Sequence, residues 1–289
     1  MRAGLFLLIL SLLICLAACS EDPPSTAREA SYSRVVTLAP NLTELVYAVG
    51  AGATLVGVSA YSDYPPEALA LPVVGDAFMV DQEQLALLQP DLLLVWQSGT
   101  PAHVVDELRR AGYTIEVLRT QSLRDVADAL RRIGDLTGFV DGAEAVASNY
   151  LQTLQSIKEQ FADVADIRVF YQVSQRPLFT INGDHYVSEL IDMCGGHNVF
   201  NDLNSLAPSI DVEAVVERDP EAMLASSDAG KHAFDEWQRW PHIAANRYGN
   251  HFIMPADAIG RATPRLVDAA QAVCAALGDA REHRSALVK

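Results

Sequence analysis

Residues 81–94 recur without a gap at 211–224. Asp81-Gln82-Glu83-Gln84-Leu85 falls on Asp211-Val212-Glu213-Ala214-Val215, and Pro90-Asp91-Leu92-Leu93-Leu94 falls on Pro220-Glu221-Ala222-Met223-Leu224. Each copy reads as an acidic helix start, a helix stopped by proline, an acid and an apolar strand. A second echo sets Glu44-Leu45 and Gly50 against Glu189-Leu190 and Gly195. Either βα units in general share this grammar, or two lobes of the chain are related by duplication. Duplication constrains the fold far more, because paired lobes enclose a cleft, and clefts between domains are where small molecules bind.

The rest of the pattern agrees with lobes of α/β type. Short apolar strands are expected at 35–38, 55–58, 92–96 and 114–118. Amphipathic helices lie between them. Asn41 with Glu44 three residues later reads as a capping box. The helix at 103–110 ends at Gly112, and Ser122 with Asp125 opens another. Its apolar face is Leu123, Val126, Leu130, Ile133 and Leu136. Asp141 and Glu144 then start a long helix carrying Ala143, Val146, Tyr150, Leu154, Ile157 and Phe161. Strands resume at 168–173, 223–225 and 252–254, and a last helix is expected at 264–277. The fold class is α/β: two Rossmann-like lobes with parallel sheets, bridged by one long rigid α-helix. The expected division is an N-terminal lobe at 34–140, the bridge at 141–163 and a C-terminal lobe at 164–289.

The amino terminus sets the compartment. Arg2 is the only charge before Glu21, residues 5–16 are almost wholly apolar, and Ala17-Ala18 follow. This reads as a secretory signal peptide over 1–18. The apolar stretch is shorter than the ~20 residues a membrane span needs. Leu16-Ala17-Ala18-Cys19 resembles a bacterial lipobox, which makes Cys19 the lipidated first mature residue; the plainer reading is a soluble secreted protein cut near Ala18. Residues 19–33 read as a flexible tether. The expected place is the periplasm or cell envelope, with the membrane touched only through the lipid.

Charge narrows the partners. The formal net charge is -16, and losing residues 1–18 removes only Arg2, leaving -17. A chain this acidic does not suit nucleic acid or anionic lipid surfaces. Of the four cysteines, Cys15 leaves with the signal and Cys19 takes the lipid. Cys194 and Cys274 remain, an even pair in an oxidising compartment: a disulfide, or two separate buried thiols.

No catalytic motif stands out. G-x-S-x-G, P-loop and H-E-x-x-H patterns are missing from the sequence. Gly50-Ala51-Gly52 lacks a third glycine and follows a helix. The seven histidines have no ligand spacing, so His103, His185, His197 and His251 would hold a metal only by converging in space. No metal, no cofactor and no enzymatic activity are expected. Aromatic and polar residues instead collect where strands end: Tyr61 to Tyr64, Trp96 with Gln97, and Asp257 to Arg261. In open α/β sheets, ligands bind beyond those ends. Plainer roles are a core cap for Trp96, a stiffened turn for Tyr61 and Tyr64, and an Arg261–Asp257 surface pair.

Tyr61-Ser62-Asp63-Tyr64-Pro65-Pro66, Pro90-Asp91-Leu92 leading to Trp96, Cys194-Gly195-Gly196-His197-Asn198-Val199-Phe200, and Arg261-Ala262-Thr263-Pro264-Arg265 with Cys274 follow in order. With these segments the chain resembles the helical-backbone (class III) solute-binding proteins of ABC importers, in their corrinoid (vitamin B12, cobalamin) branch. The resemblance implies two lobes joined by one helix, a corrinoid as transported ligand, and a permease dimer with its ATPase as partner. It implies that Tyr61 lies against the corrinoid. Asp257, Ala258, Ile259, Gly260 and Arg261 would form a second contact segment, with Trp96 and Phe179 lining the cleft. Cys194 and Cys274 match the family's disulfide, and Glu83 and Glu213 the acids that meet the permease. Where the family has tryptophans, this chain has Ala77, Ala207 and Ala258, with Phe78 beside the first. Haem or a ferric siderophore is the alternative ligand, and an envelope hydrolase the more distant alternative.

Overall fold

The computed structural model describes residues 31–76 and 78–287. The expected signal peptide, Cys19, most of the tether and Ala77 lie outside the described residues. The chain runs β1 (Val35–Thr37), α1 (Pro40–Ala48), β2 (Leu55–Val58), α2 (Gln82–Leu88), β3 (Leu92–Trp96), α3 (Ala102–Arg110), β4 (Ile115–Leu118) and α4 (Leu123–Thr137). Then come α5 (Val140–Gln160), β5 (Ile167–Gln172), β6 (Ser174–Gln175), β7 (Leu178–Phe179), α6 (Tyr186–Met193) and β8 (Gly196–Asn198). The chain continues through α7 (Val212–Arg218), β9 (Ala222–Ser226), α8 (Ala244–Tyr248), β10 (His251–Met254), α9 (Ala256–Ile259) and α10 (Leu266–Leu287).

Two parallel sheets result, ordered β2-β1-β3-β4 and β10-β9-β5-β8. Read from its other edge, the second sheet is β8-β5-β9-β10. Both therefore place their strands second, first, third, fourth. The sequence repeat extends to the backbone: Gln89 (φ 46°) and Asp219 (φ 43°) end α2 and α7 in the same left-handed conformation. Gly50 (φ 88°) and Gly195 (φ 68°) follow α1 and α6 in the same way, where a side chain would be strained.

Strand alternation divides the core. Val35, Leu92 and Leu94 join Leu42, Leu130, Tyr150, Ile167, Leu190 and Val273 in one cluster that runs through both lobes. Val36, Leu93 and Val95 turn to the opposite face, against Leu85 and Leu108. Phe170, Phe200, Met223 and Trp237 form a separate core in the second lobe.

Helix α5 buries Ala143, Ala147, Tyr150, Leu154 and Ile157 as one stripe. A Cβ on Gly134 would sit 2.4 Å from that of Ala143, so glycine there lets α4 and α5 approach closely. The expected cap at Glu144 does not form. Its carboxylate takes Arg131 Nε at 2.7 Å and Ser148 Oγ at 2.6 Å, and these hold its pKa at about 2. The box expected at Asn41 and Glu44 is also missing, since α1 starts with Pro40 at its first position and Ala39 as N-cap. The Ser122–Asp125 box does form, with both reciprocal bonds present. Helix α10 runs ten residues past the expected end. Arg281 donates to Ala165 O and Cys194 O, each at 2.6 Å, and Arg284 to Asp166 O at 2.8 Å. Among the described residues no helix is long and apolar enough to cross a membrane.

Cys194, after α6, is bonded to Cys274 in α10. Closing a loop of that length stabilises the fold by about 4 kcal/mol in the chain-entropy account. Cys194→Ser with Cys274→Ser is expected to lower the unfolding free energy in urea by about that amount, and an unchanged transition would show that the bond contributes nothing.

His185 caps α6, accepting the Val187 N–H on Nδ1 at 3.2 Å. Burial pushes its pKa down from 6.5 to about 4. With the folded value below the unfolded one, its contribution is complete above pH 6.5 and is lost as the pH falls towards 4. His185→Asn keeps a cap acceptor and should flatten the stability profile across that window, as read by thermal melts.

Candidate functional site

The loop after β2 carries Tyr61 at φ 66°, a left-handed conformation costly for a side chain of this size. Its ring is 81 % exposed. Beneath it runs a chain of buried hydroxyls. Thr37 and Thr43 meet at 2.6 Å, Thr43 donates to Ser62 at 3.0 Å, and Ser62 and Ser59 meet at 3.3 Å. These bonds tie the loop to β1 and α1.

From the other lobe, Arg261 reaches this loop. Its Nη1 donates to Glu44 Oε1 at 2.8 Å and Asp63 Oδ1 at 2.6 Å, and its Nη2 donates to Tyr61 O at 3.2 Å. A left-handed residue costs about 1–2 kcal/mol. A hydrogen bond from a charged donor contributes about 1.5–3 kcal/mol, enough to offset that strain. The Arg261 guanidinium also holds the Asp63 carboxyl below the usual carboxylate range. Arg265 adds Nη1 to Glu44 Oε1 at 3.4 Å and stacks its guanidinium 4.4 Å from the centre of the Tyr64 ring. The surface pair between Arg261 and Asp257, the plainer role weighed for Arg261, is not formed. Asp257 is paired with Arg265 at 3.8 Å, and Arg261 takes the buried acid of the opposite lobe instead.

The remaining expected residues are spread more widely. Ala258 and Ile259, in the single turn of α9, turn their side chains into the core, which leaves Asp257 and Gly260 exposed and Arg261 largely buried in the junction with the first lobe. A Cβ at Gly260 would lie 2.8 Å from Ala256 O, so this turn requires glycine. Trp96 packs over Gly99 and lines its own cavity of about 230 Å³ with Gln97, Thr100, Val105 and Arg109. Tyr61 lines a different cavity, of about 110 Å³, with Ser59, Asp63, Leu69 and Val73. Phe179 lies half-buried in the β6–β7 hairpin, bridged to Ser209. Glu83 and Glu213 are both exposed, at the second positions of α2 and α7. Ala207 is exposed. His185 serves as a cap, and His251 stacks 5.0 Å from Phe234. Among the described residues no group of three His, Cys, Asp or Glu is placed to hold a metal.

Sequence reasoning missed the turn before α2. Asp76 Oδ1 accepts the backbone N–H groups of Phe78 and Met79, each at 2.8 Å. Those bonds hold the Asp76 carboxyl below the usual carboxylate range. Phe78 is 70 % and Met79 78 % exposed. Ala60 N–H donates to Gly75 O at 2.7 Å, which hangs this turn on the loop bearing Tyr61. Phe78 and Met79 are thus adjacent exposed apolar side chains on a turn bonded to the Tyr61 loop. The available signal was an aspartate two residues ahead of consecutive large apolar residues. Asp76→Ala is expected to raise hydrogen exchange at the Phe78 and Met79 amides several-fold, with little change in melting temperature. In the unmodified chain the turn should persist down through the ordinary carboxylate pKa and open only below it.

Residues 35–258, more than half of the chain, match the family model described as periplasmic binding protein. The chain is 34 % identical over 268 residues to the vitamin B12-binding protein of Vibrio cholerae serotype O1, covering 91 % of this chain and 96 % of that one. The crystal structure of the periplasmic vitamin B12 binding protein BtuF of Vibrio cholerae superimposes with a TM-score of 0.78. That match has 34 % identity and covers 86 % of this chain and 98 % of that one. A periplasmic haem-binding protein from Pseudomonas aeruginosa gives a TM-score of 0.74 at 25 % identity, over 85 % and 92 % of the two chains. The chain belongs to the periplasmic binding protein family.

Proposed function

We propose that this chain captures a corrinoid of the cobalamin type between its two lobes and delivers it to the permease dimer of an ATP-driven importer. The observation that carries this reading is the near full-length likeness to a vitamin B12-binding protein. The site's chemistry supports it. Tyr61, Phe78 and Met79 offer exposed apolar faces beyond β2 at the edge of the first sheet, and Asp257 to Arg261 follow β10 at the edge of the second. A large ligand with flat apolar faces and polar arms suits such a border. Capture of this kind needs no covalent step, so the chain acts as a binding protein and not as an enzyme. In this reading Glu83 and Glu213 dock on the permease as equivalent acids of a duplicated scaffold, matched to a two-fold partner. Cys19 bears the lipid that keeps the protein at the membrane.

Calorimetric titration of the chain from residue 20 onward with cyanocobalamin, cobinamide and haemin in parallel tests the ligand. One-to-one binding of a corrinoid is expected, weakened about tenfold by Tyr61→Ala, equivalent to about 1.4 kcal/mol of lost apolar contact. Binding of haemin alone would leave the transport class standing and replace the ligand, the outcome that the Pseudomonas relative favours.

A further inference from the structure

Glu44 lies in the middle of α1 and is 4 % exposed. Its Oε1 receives Nη1 of Arg261 and Nη1 of Arg265. Arg261 is also held by Asp63, but that carboxylate is half exposed, so water and salt weaken its grip. No such screening reaches Glu44, so the buried acid decides where the guanidinium rests. Burial works against the charge on Arg261, and its hydrogen bonds to Asp63 and Glu44 outweigh that and keep its pKa above the ordinary value. From there Arg261 donates to Tyr61 O and supports the left-handed backbone that points the Tyr61 ring into solvent.

We propose that Glu44 is the positioning residue of the ligand cleft, setting through Arg261 both the 257–261 segment and the presentation of Tyr61. This rests on the reading above that Tyr61 and Arg261 meet the ligand.

The duplicated architecture supplies a control. Glu189, the repeat counterpart of Glu44, also crosses the junction between lobes. Its Oε2 accepts the Leu123 N–H at the start of α4, at 3.3 Å. That contact joins the lobes without touching Arg261 or Tyr61. One acid of the pair therefore only joins the lobes, whereas the other joins them and aims the binding residues.

The experiment compares the unmodified chain with Glu44→Gln, Glu189→Ala, Arg261→Gln and the Glu44→Gln/Arg261→Gln double variant. Each is titrated with cyanocobalamin and haemin, and hydrogen exchange is followed across residues 59–64. Glu44→Gln should weaken binding about tenfold and speed exchange in that segment. Glu189→Ala should lower the melting temperature yet keep the dissociation constant within about twofold and leave that exchange unaltered. The double variant should bind no more weakly than Arg261→Gln alone. Unchanged affinity in Glu44→Gln, or an equal loss in Glu189→Ala, overturns the proposal. If the unmodified chain binds neither probe, the transport reading fails separately and the exchange data decide. Faster exchange in Glu44→Gln only supports the positioning role, and equal exchange in both single-acid variants overturns it. Should Glu44→Gln not fold, Glu44→Asp, which keeps the charge on a shorter arm, is read by the same criteria.

Discussion

Moving a carboxylate out of water costs several kcal/mol unless opposite charge and hydrogen bonds replace the solvent. Glu44 is buried inside the first lobe's leading helix, and nearby arginines come from the second lobe. That requirement pins the 261–265 segment against α1. Around this point the core cluster runs continuously through α1, α4, α5, α6 and α10, so the junction of the lobes is apolar below and ionic at its edge.

Both lobes share one strand order and the same left-handed helix ends, yet the junction itself is unsymmetrical. Glu44 meets two arginines, while Glu189 meets a backbone N–H. Burial pushes the Glu189 carboxyl up, and the Leu123 N–H offsets only part of that rise. A scaffold of near two-fold character thus acquires one polar, adjustable edge. Beside that edge lie Tyr61, Phe78 and Met79, each supported by the backbone beneath it. Rigid presentation lowers the ordering cost that a flexible apolar loop would incur on binding.

Legibility in the sequence followed the length and apolarity of each element. β3 is a five-residue apolar run buried on both faces, and its bounds were read correctly from pattern alone. β6, β7 and β8 have two or three residues, several of them polar, and exist because neighbouring backbone needs partners. The last turns of α10 were missed because Arg281 and Arg284 anchor them to carbonyl groups, with Ala280 alone extending the buried apolar stripe past residue 277. Among the expected site residues, Tyr61 stands exposed beyond the end of β2, as its place in the sequence implies. Ala258 and Ile259 were placed facing the cleft, and the single turn of α9 directs them into the core.

The amino-acid sequence by itself determined the α/β class, the order of the main strands, the internal repeat and the pair of cysteines available for a bridge. Those properties rest on periodicities of two and 3.6 residues and on spacings within short windows. The tertiary structure alone decided the partner of Arg261. Asp257 is only four residues away but largely exposed, whereas Glu44 is 217 residues away and buried. Charges pair most strongly where water is excluded, and exclusion of water is a property of the folded junction that no local stretch of sequence records.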